Sequence, residues 1–369
     1  MKRRQFLKLA GAGGGAAAGA VAFAAPAIAQ AEPAVRWRLA SSVPKSLATV
    51  LGAAEYVARR VADATDQKFQ IKAFAADEIV PQFKVLDAVQ HGEVELGQSF
   101  SYYFIGTDPT LAFDAALPWG LNTRQQVAWM TRGGGLELLR EVFRDYNIYN
   151  IPAGNTGAQM GGWFRKEVRS LDELKGLKFR IGGWAGTVLS RIGVVPQQIP
   201  IPGIIPALAS GAIDAAEWVG PYDDEKLGFN TAAKYYYYPG WWEGSTQFSV
   251  YVNLDRWRTL PKSYQAILEL ACAEAYSWSL AKYDVDNPAA MNRLLAGGTL
   301  LRSFGDDILQ ASFNAAFELY AETAAKNARF SKLYESWKSF REDSRLWLKV
   351  VEQSYDNFAY ARAVPRPKS

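Results

Sequence analysis

The sequence contains very few of the side chains that most often perform catalysis. Its 369 residues include one cysteine, Cys272, and one histidine, His91. A single cysteine excludes an internal disulfide, and neither residue has a partner at the spacing of a zinc site. Because the two residues lie far apart in the chain, the sequence argues against Cys-His, Ser-His and multi-histidine metal catalysis.

Both residues have simpler structural explanations. Cys272 lies in a run that predicts a helix, where we expect a buried packing cysteine. His91 precedes Gly92, which has the position of a glycine that follows a helix. We therefore expect the His91 ring to contact the last carbonyl groups of that helix.

The chain also lacks an excess of charge beyond its N-terminus. Lys2, Arg3, Arg4 and Lys8 account for the whole formal net charge of +4, and no acidic residue falls within 1–29. The remaining chain is formally neutral, which gives no sign of a nucleic-acid surface or a polybasic membrane patch. Its length is sufficient for two domains with separate cores.

The N-terminus has the three parts of a secretory signal peptide. A basic start is followed by a Gly- and Ala-rich apolar run over 9–25 and by an Ala-x-Ala motif at 27–29. The pair Arg3 and Arg4 matches the twin-arginine type of export signal. We expect cleavage after this motif and a periplasmic mature protein. The alternative is an uncleaved membrane anchor, to which so many glycines are poorly suited.

Strand and helix patterns alternate along the mature chain. Alternating apolar residues at 35–40 open a β-α-β-α-β order that ends near 94–99, which predicts a sheet rich in parallel pairs and covered by helices. A second α/β pattern begins near Tyr149, with predicted strands over 159–164 and 212–218. No spacer separates the two patterns, so we expect two lobes joined by crossing strands.

The C-terminal third of the chain has a helical pattern from Leu260 onward. Its last predicted helix, Glu342–Ala361, carries one mainly apolar stripe. This stripe either packs under its own lobe or exchanges with a second protomer. Its members are Trp347, Val350, Val351, Ser354 and Phe358.

Arg180 is the first candidate for ligand binding. It ends a predicted strand and is followed by two glycines, which let a ligand approach the backbone. A guanidinium in that position suits bidentate capture of a carboxylate. An ordinary ion pair at the strand edge explains the same pattern equally well.

Three oxygen-bearing side chains form a second candidate group. Glu217 ends an apolar strand, so its carboxylate needs a cation, hydrogen bonds or a shifted pKa. Glu243 lies in an aromatic loop, and Gln159 adds a neutral oxygen. Oxygens from Gln159, Glu217 and a backbone carbonyl would suit a hard cation, although a set of structural hydrogen bonds is the simpler explanation. As paired carboxylates among tryptophans, Glu217 and Glu243 also admit a periplasmic glycoside hydrolase.

Several motifs resemble those of one family. The segments LKGLKFRI (174–181) and ALASGAIDAAEW (207–218) look like those of DctP-type solute-binding proteins of TRAP transporters, and the likeness extends over the mature chain. The segments EWVGPYDDEKLGF (217–229) and YYYYPGWWEGS (235–245) are similar to the subgroup that binds 2-oxo monocarboxylates such as pyruvate. Lactate or another 2-hydroxy acid is the alternative ligand.

The resemblance implies a two-lobe α/β fold of the Venus-flytrap type, without enzymatic activity. Arg180 would hold the substrate carboxylate, and Tyr102 or Tyr103 would line the first lobe's side of the cleft. A bridging cation, sodium in the first place and calcium as the alternative, would join ligand to protein. The implied cation ligands are Gln159, Glu217, the Trp218 backbone and Glu243, of which Gln159 and Trp218 would also contact substrate.

The resemblance also implies an organisation and partners. We expect lobe I over 30–155 and about 247–285, lobe II over 156–246 and about 286–340, and a C-terminal helix over 341–369 as a candidate dimerisation element. The expected partners are a small 2-oxo carboxylate, the TRAP permease subunits in the membrane and a second copy of the chain.

Overall fold

The structure, a computed structural model, describes residues 32–362. The predicted signal peptide, 1–29, lies outside the described residues, as do 363–369. None of the helices within the described part is both long enough and apolar enough to cross a membrane.

Strands and helices alternate through most of the described chain. The strands are β1 (Val35–Ser41), β2 (Phe69–Phe74), β3 (Leu96–Ser99), β4 (Ile148–Asn155), β5 (Trp163–Phe164), β6 (Lys178–Arg180), β7 (Val195–Gln197), β8 (Ala215–Ala216), β9 (Tyr235–Tyr238), β10 (Gln247–Asn253) and β11 (Leu300–Ser303). The α-helices are α1 (Val50–Ala64), α2 (Val85–Gln90), α3 (Thr123–Thr131), α4 (Gly135–Asp145), α5 (Leu171–Leu174), α6 (Gly183–Arg191), α7 (Ile201–Ser210), α8 (Pro221–Leu227), α9 (Phe229–Ala232), α10 (Leu254–Thr259), α11 (Lys262–Ala296), α12 (Asp306–Lys326), α13 (Ala328–Leu348) and α14 (Ser354–Tyr360).

The strands form two mixed sheets. The first has the order β2-β1-β3-β10-β4, in which β1 is parallel to its neighbours and β10 is antiparallel to β3 and β4. The second has the order β11-β9-β5-β8-β6-β7. The chain leaves the first sheet after β4, returns to it as β10 and leaves it again along α11. The prediction of an α/β fold with crossing strands is therefore confirmed, whereas the lobe boundaries stay a prediction.

The helix α11 is 35 residues long and belongs to both halves of the molecule. It packs against β4 and α1 beside the first sheet and against α8 beside the second. Pro288 lies inside this helix. Cys272 is buried and unpaired within it, as predicted for a packing cysteine.

His91 follows a helix, as the sequence predicts, and Gly134 precedes another. His91 follows α2, and its Nδ1 lies 2.8 Å from the carbonyl oxygen of Asp87. The helices α3 and α4 are separated by a short break, in which Gly134 has a φ of 82°. Glycine adopts that left-handed conformation without the steric cost that a Cβ would impose.

Two predicted strands are much shorter than expected. The strand predicted over 159–164 is reduced to β5, and the one over 212–218 is reduced to β8. The backbone of the first segment bonds to three separate loops and strands instead of one ladder, since Gln159 N donates to Glu243 O and Met160 N to Val219 O. These irregular segments carry the candidate site residues.

The C-terminal helix also differs from its prediction. Instead of one helix over 342–361, α13 begins at Ala328 and a π-helical segment, Lys349–Gln353, joins it to α14. The stripe residues Trp347, Val350 and Phe358 are 59%, 61% and 67% exposed. Their apolar surfaces are therefore not packed under the lobe to which they belong.

Candidate ligand and cation site

Arg180 lies at the end of β6 and is almost completely buried, with 3% of its surface exposed. β6 is parallel to both β7 and β8, and ligands of α/β folds bind at the carboxyl ends of such strands. Nη1 of Arg180 donates to the Glu217 carbonyl oxygen at 2.6 Å, and Nε donates to the Ile199 carbonyl oxygen at 3.3 Å. Main-chain oxygens thus orient the guanidinium without neutralising its charge.

Glu217 is the acidic partner of this arginine. Its Oε2 lies 3.5 Å from Arg180 Nη1, and its backbone N–H donates to the Arg180 carbonyl oxygen at 3.1 Å. Burial raises the pKa of Glu217 well above the ordinary 4.5, the charge of Glu243 raises it further, and Arg180 opposes the rise. The two residues therefore lie together in one buried part of the structure.

Glu243 brings a second carboxylate to the same interior. It is buried, and its Oε2 accepts a hydrogen bond of 2.6 Å from the Thr246 hydroxyl. Burial raises the pKa of Glu243 to about 7, while the Thr246 hydrogen bond and the charge of Arg180 oppose the rise. Two carboxylates share one arginine, so the site carries an excess of negative charge when both are ionised.

Gln159 supplies an oxygen atom that has no hydrogen-bond partner among the described residues. Its backbone N–H donates to the Glu243 carbonyl oxygen at 3.0 Å, and its Nε2 donates to the Thr156 hydroxyl at 3.1 Å. Its Oε1 is buried and accepts no hydrogen bond. A buried acceptor without a donor costs about 1–3 kcal/mol, so this oxygen fits a cation ligand.

Trp218 follows Glu217 and stacks against the arginine. The Arg180 guanidinium carbon lies 5.1 Å from the centre of the Trp218 ring, which is favourable for a cation over an aromatic face. The buried Trp218 Nε1 has no hydrogen-bond acceptor among the described residues. Trp218 therefore restricts the side-chain conformations of Arg180, and its Nε1 can still donate a hydrogen bond.

Tyr102 and Tyr103 approach the same charges from the side of the first sheet. They lie on a 3-10 turn, Ser101–Phe104, directly after β3. Burial raises the pKa of Tyr102 well above 10, and the charges of Glu243 and Glu217 add to the rise. Burial likewise raises the pKa of Tyr103, although Arg180 opposes the rise. The predicted site residues from both halves of the chain therefore lie near one another.

The structure adds polar residues that the sequence did not single out. Thr156 and Thr246 orient Gln159 and Glu243 through the hydrogen bonds given above. Gln82 is buried and accepts a hydrogen bond of 3.4 Å from Ile201 N, which links the β2–α2 connection to α7. Thr156 and Thr246 each lie three residues from the side chain that they contact, whereas Gln82 and Ile201 are 119 residues apart and come together only in the fold.

The site combines one guanidinium, two buried carboxylates and a free amide oxygen. Within 32–362, no group of three or more histidine, cysteine or acidic residues is arranged to hold a metal, so a cation here depends on amide and backbone oxygens besides two carboxylates. The tryptophans beside Glu243 are packed inside the protein, where Trp241 and Trp242 are only 3% and 1% exposed. These two rings form no open aromatic surface for an oligosaccharide, so they give the glycoside hydrolase alternative no support.

Comparison with known proteins identifies the family of this chain. Residues 40–327 match the family model described as "DctP: Bacterial extracellular solute-binding protein, family 7". The chain belongs to the DctP family. A DctP-family protein of this type is the solute-binding receptor of a TRAP transporter, and the resemblance noted in the sequence is therefore confirmed.

Individual relatives are similar over nearly their whole length. A monocarboxylate 2-oxoacid-binding periplasmic protein of Nostoc sp. is 53% identical over 327 residues, 89% of this chain and 90% of the relative. A TRAP transporter solute-binding protein from Bordetella bronchiseptica is 49% identical with a TM-score of 0.88, covering 89% of this chain and 98% of that one. That structure is a mixed-occupancy dimer, with copurified calcium and picolinate in one active site and an apo site.

A third relative carries a different ion. The TRAP periplasmic solute-binding protein from Pseudoalteromonas atlantica has bound sodium and pyruvate; it is 36% identical with a TM-score of 0.84, covering 87% of this chain and 98% of that one. These neighbours confirm the two-lobe fold of the DctP-family chain. They also associate the fold with a cation, without agreeing on its identity.

Proposed function

We propose that this DctP-family protein is the periplasmic receptor of a TRAP transporter and binds a 2-oxo monocarboxylate such as pyruvate. The observation that carries the proposal is the buried pairing of Arg180 with Glu217, 3.5 Å apart, beside the unpartnered Oε1 of Gln159. The names of the Nostoc and Pseudoalteromonas relatives support the ligand class. The N-terminal export signal supports the compartment.

Arg180 would receive the substrate carboxylate, because the guanidinium offers parallel N–H donors in a fixed plane. Tyr102 and Tyr103 would close the cleft from the first lobe. Their hydroxyl groups stay protonated at neutral pH, so they act as hydrogen-bond donors without adding charge. We propose that the protein binds its ligand and releases it to the membrane subunits, and that it does not change the ligand chemically.

A cation would be held by Gln159 Oε1, the Glu217 and Glu243 carboxylates and the Trp218 carbonyl. When bound, it would supply positive charge between the acidic side chains and the oxygen atoms of the ligand. Arg180 alone cannot balance two carboxylates and a monoanionic ligand in a site without water. A divalent ion restores neutrality, so we propose calcium, where the sequence alone placed sodium first.

A thermal-shift screen tests the proposed ligand and ion together. We expect pyruvate with calcium to raise the Tm of the mature protein more than lactate or an amino acid does. A ligand that binds only the folded state stabilises it by about 2.7 kcal/mol at about 100 times its Kd. A larger shift with lactate would replace the 2-oxoacid by a 2-hydroxy acid. No shift with any carboxylate would refute the function.

We also propose that the protein forms a homodimer through the exposed stripe on α13 and α14. Trp347, Val350 and Phe358 present apolar surface that water would otherwise cover, and burying such surface gains about 25 cal/mol per Å². The Bordetella relative is a dimer.

Light scattering of the mature protein checks the dimer. The wild type is expected to have twice the mass of one chain, and the double variant Trp347→Glu with Val350→Glu to have the mass of one chain, because charges inside an apolar interface are poorly solvated. Leu270→Glu, at an exposed position on α11, serves as the control and should remain dimeric. A monomeric wild type would contradict the proposal.

A further inference from the structure

Asp224 is a carboxylate buried behind the loop that carries Glu217 and Trp218, with 1% of its surface exposed. Its Oδ2 accepts hydrogen bonds from Trp163 Nε1 at 2.9 Å and from the Tyr236 hydroxyl at 2.7 Å. Its Oδ1 accepts a hydrogen bond from Val219 N at 3.2 Å. Asp224 thus ties the loop after β8 to the neighbouring strands β5 and β9.

Val219 connects this carboxylate to a second loop of the site. The Val219 carbonyl oxygen accepts a hydrogen bond of 3.1 Å from Met160 N, and Met160 directly follows Gln159. The N–H of Val219 is therefore held by Asp224 while its carbonyl group holds the Gln159 loop. If Asp224 moved, both loops would shift, and with them the oxygen atoms that are proposed to bind the cation. Asp224 itself is not one of the proposed cation ligands.

Asp224 also acts on the site through its charge. The negative charge of Asp224 is one of the causes that raise the pKa of Glu217. Asp223, the preceding residue, is equally buried but accepts its hydrogen bond from Tyr283 on α11, on a different element. The two adjacent acids therefore have separate tasks, and only Asp224 is bonded to the loop of Glu217 and Trp218.

We propose that Asp224 is a positioning residue of the cation site: it fixes the loop from Glu217 to Val219, and its negative charge favours calcium over sodium. The inference rests on the proposed function, since it presupposes a cation at Glu217 and Gln159. Charge acts on a divalent ion twice as strongly as on a monovalent ion at the same distance. Loss of the charge should therefore weaken calcium binding more than sodium binding.

Asp224→Asn tests the inference with little change of shape. An asparagine has one acceptor oxygen, so its amide N–H groups must face one of the three donors, and a buried donor is left without an acceptor. Apparent affinities for calcium and for sodium are measured by thermal-shift titration of ion-depleted protein without any carboxylate ligand. The titration is made at about pH 8, because burial raises the pKa of Asp224 to about 7. We expect calcium affinity to fall about 10- to 100-fold and sodium affinity to fall less.

Two further variants separate positioning from general stability. Asp223→Asn should keep the ratio of calcium to sodium affinity. Tyr236→Phe removes one hydrogen bond and keeps the charge, so it too should keep that ratio. An unchanged ratio in Asp224→Asn, or the same loss of ratio in Asp223→Asn, would overturn the role of Asp224. A wild type that binds neither ion would instead refute the cation site itself.

Discussion

Arg180→Lys is expected to lower the affinity for pyruvate about 100-fold, which corresponds to about 2.8 kcal/mol. The arginine uses Nη1 and Nε on the carbonyl oxygens of Glu217 and Ile199, so its plane is fixed before the ligand arrives. A lysine ammonium has the same charge but no planar fork, and it cannot serve these oxygens and a bidentate carboxylate together. Calorimetry with pyruvate and calcium present measures the loss.

The control for this variant is an arginine with a similar bidentate contact outside the site. Arg293 on α11 is exposed and donates from Nε and Nη2 to both oxygens of Glu225. Arg293→Lys should therefore change pyruvate affinity less than about threefold, because exposed ion pairs contribute little. Wild-type affinity in Arg180→Lys would remove Arg180 from the substrate site.

Complete removal of cations is expected to reduce pyruvate affinity at least as much as Arg180→Lys does. Without the ion, two buried carboxylates and an unpartnered amide oxygen face the anionic ligand, and an uncompensated buried charge costs about 3–5 kcal/mol. Calorimetry after treatment with a chelator and dialysis measures this loss, and added calcium should restore binding. Undiminished affinity in the depleted protein would contradict the role of the ion.

The cation should also make the site sensitive to pH near neutrality. Burial raises the pKa of Glu243 to about 7, and that of Glu217 is raised as well, so protons compete with the ion on the acidic side. Calcium affinity is therefore expected to fall as the pH is lowered through about 7. Glu243→Gln should weaken both the affinity and its pH dependence. An affinity that is constant between about pH 6 and pH 8 would contradict this account.

The same pKa shifts predict how the stability of the ion-free protein depends on pH. Asp223, with a pKa raised by burial to about 6, and Asp224 and Glu243, with values of about 7, bind protons more tightly when folded than when unfolded. Their contribution to stability is complete below the ordinary carboxylate pKa of about 4 and is lost as the pH rises through about 7. The Tm of the depleted protein should accordingly fall over this interval, and calcium should oppose the fall.

Much of the site could be predicted because its residues have local signals. Arg180 ends an apolar strand and precedes two glycines, and Glu217 is an acid at the end of another apolar run. A buried charge needs a partner, so the sequence indicates that a partner exists before it shows which residue this is. The sequence therefore indicates Arg180 as one candidate and the acids Glu217 and Glu243 as another. It leaves an ordinary ion pair as an equal explanation for Arg180, and structural hydrogen bonds as the simpler one for the acids.

The rest depends on contacts between distant parts of the chain. Asp224 receives a hydrogen bond from Trp163, 61 residues away, and nothing in the local pattern distinguishes it from Asp223. The strands predicted at Gln159 and Glu217 are largely loops, because their amides bond to carbonyl groups of several segments rather than to one neighbouring strand. Periodicity reports which residues are buried but not which backbone groups pair.

The long helix α11 has a mechanical consequence. Pro288 has no N–H, so the carbonyl group of Asp284 lacks its donor four residues later, and the helix resists bending least at this point. The stretch before it is anchored beside the first sheet, and Asn287 next to it accepts a hydrogen bond of 3.1 Å from Tyr222 N at the start of α8. Any bend of α11 is expected first at Pro288, although α8 holds the helix on both sides of that residue, through Asp223 with Tyr283 and through Glu225 with Arg293.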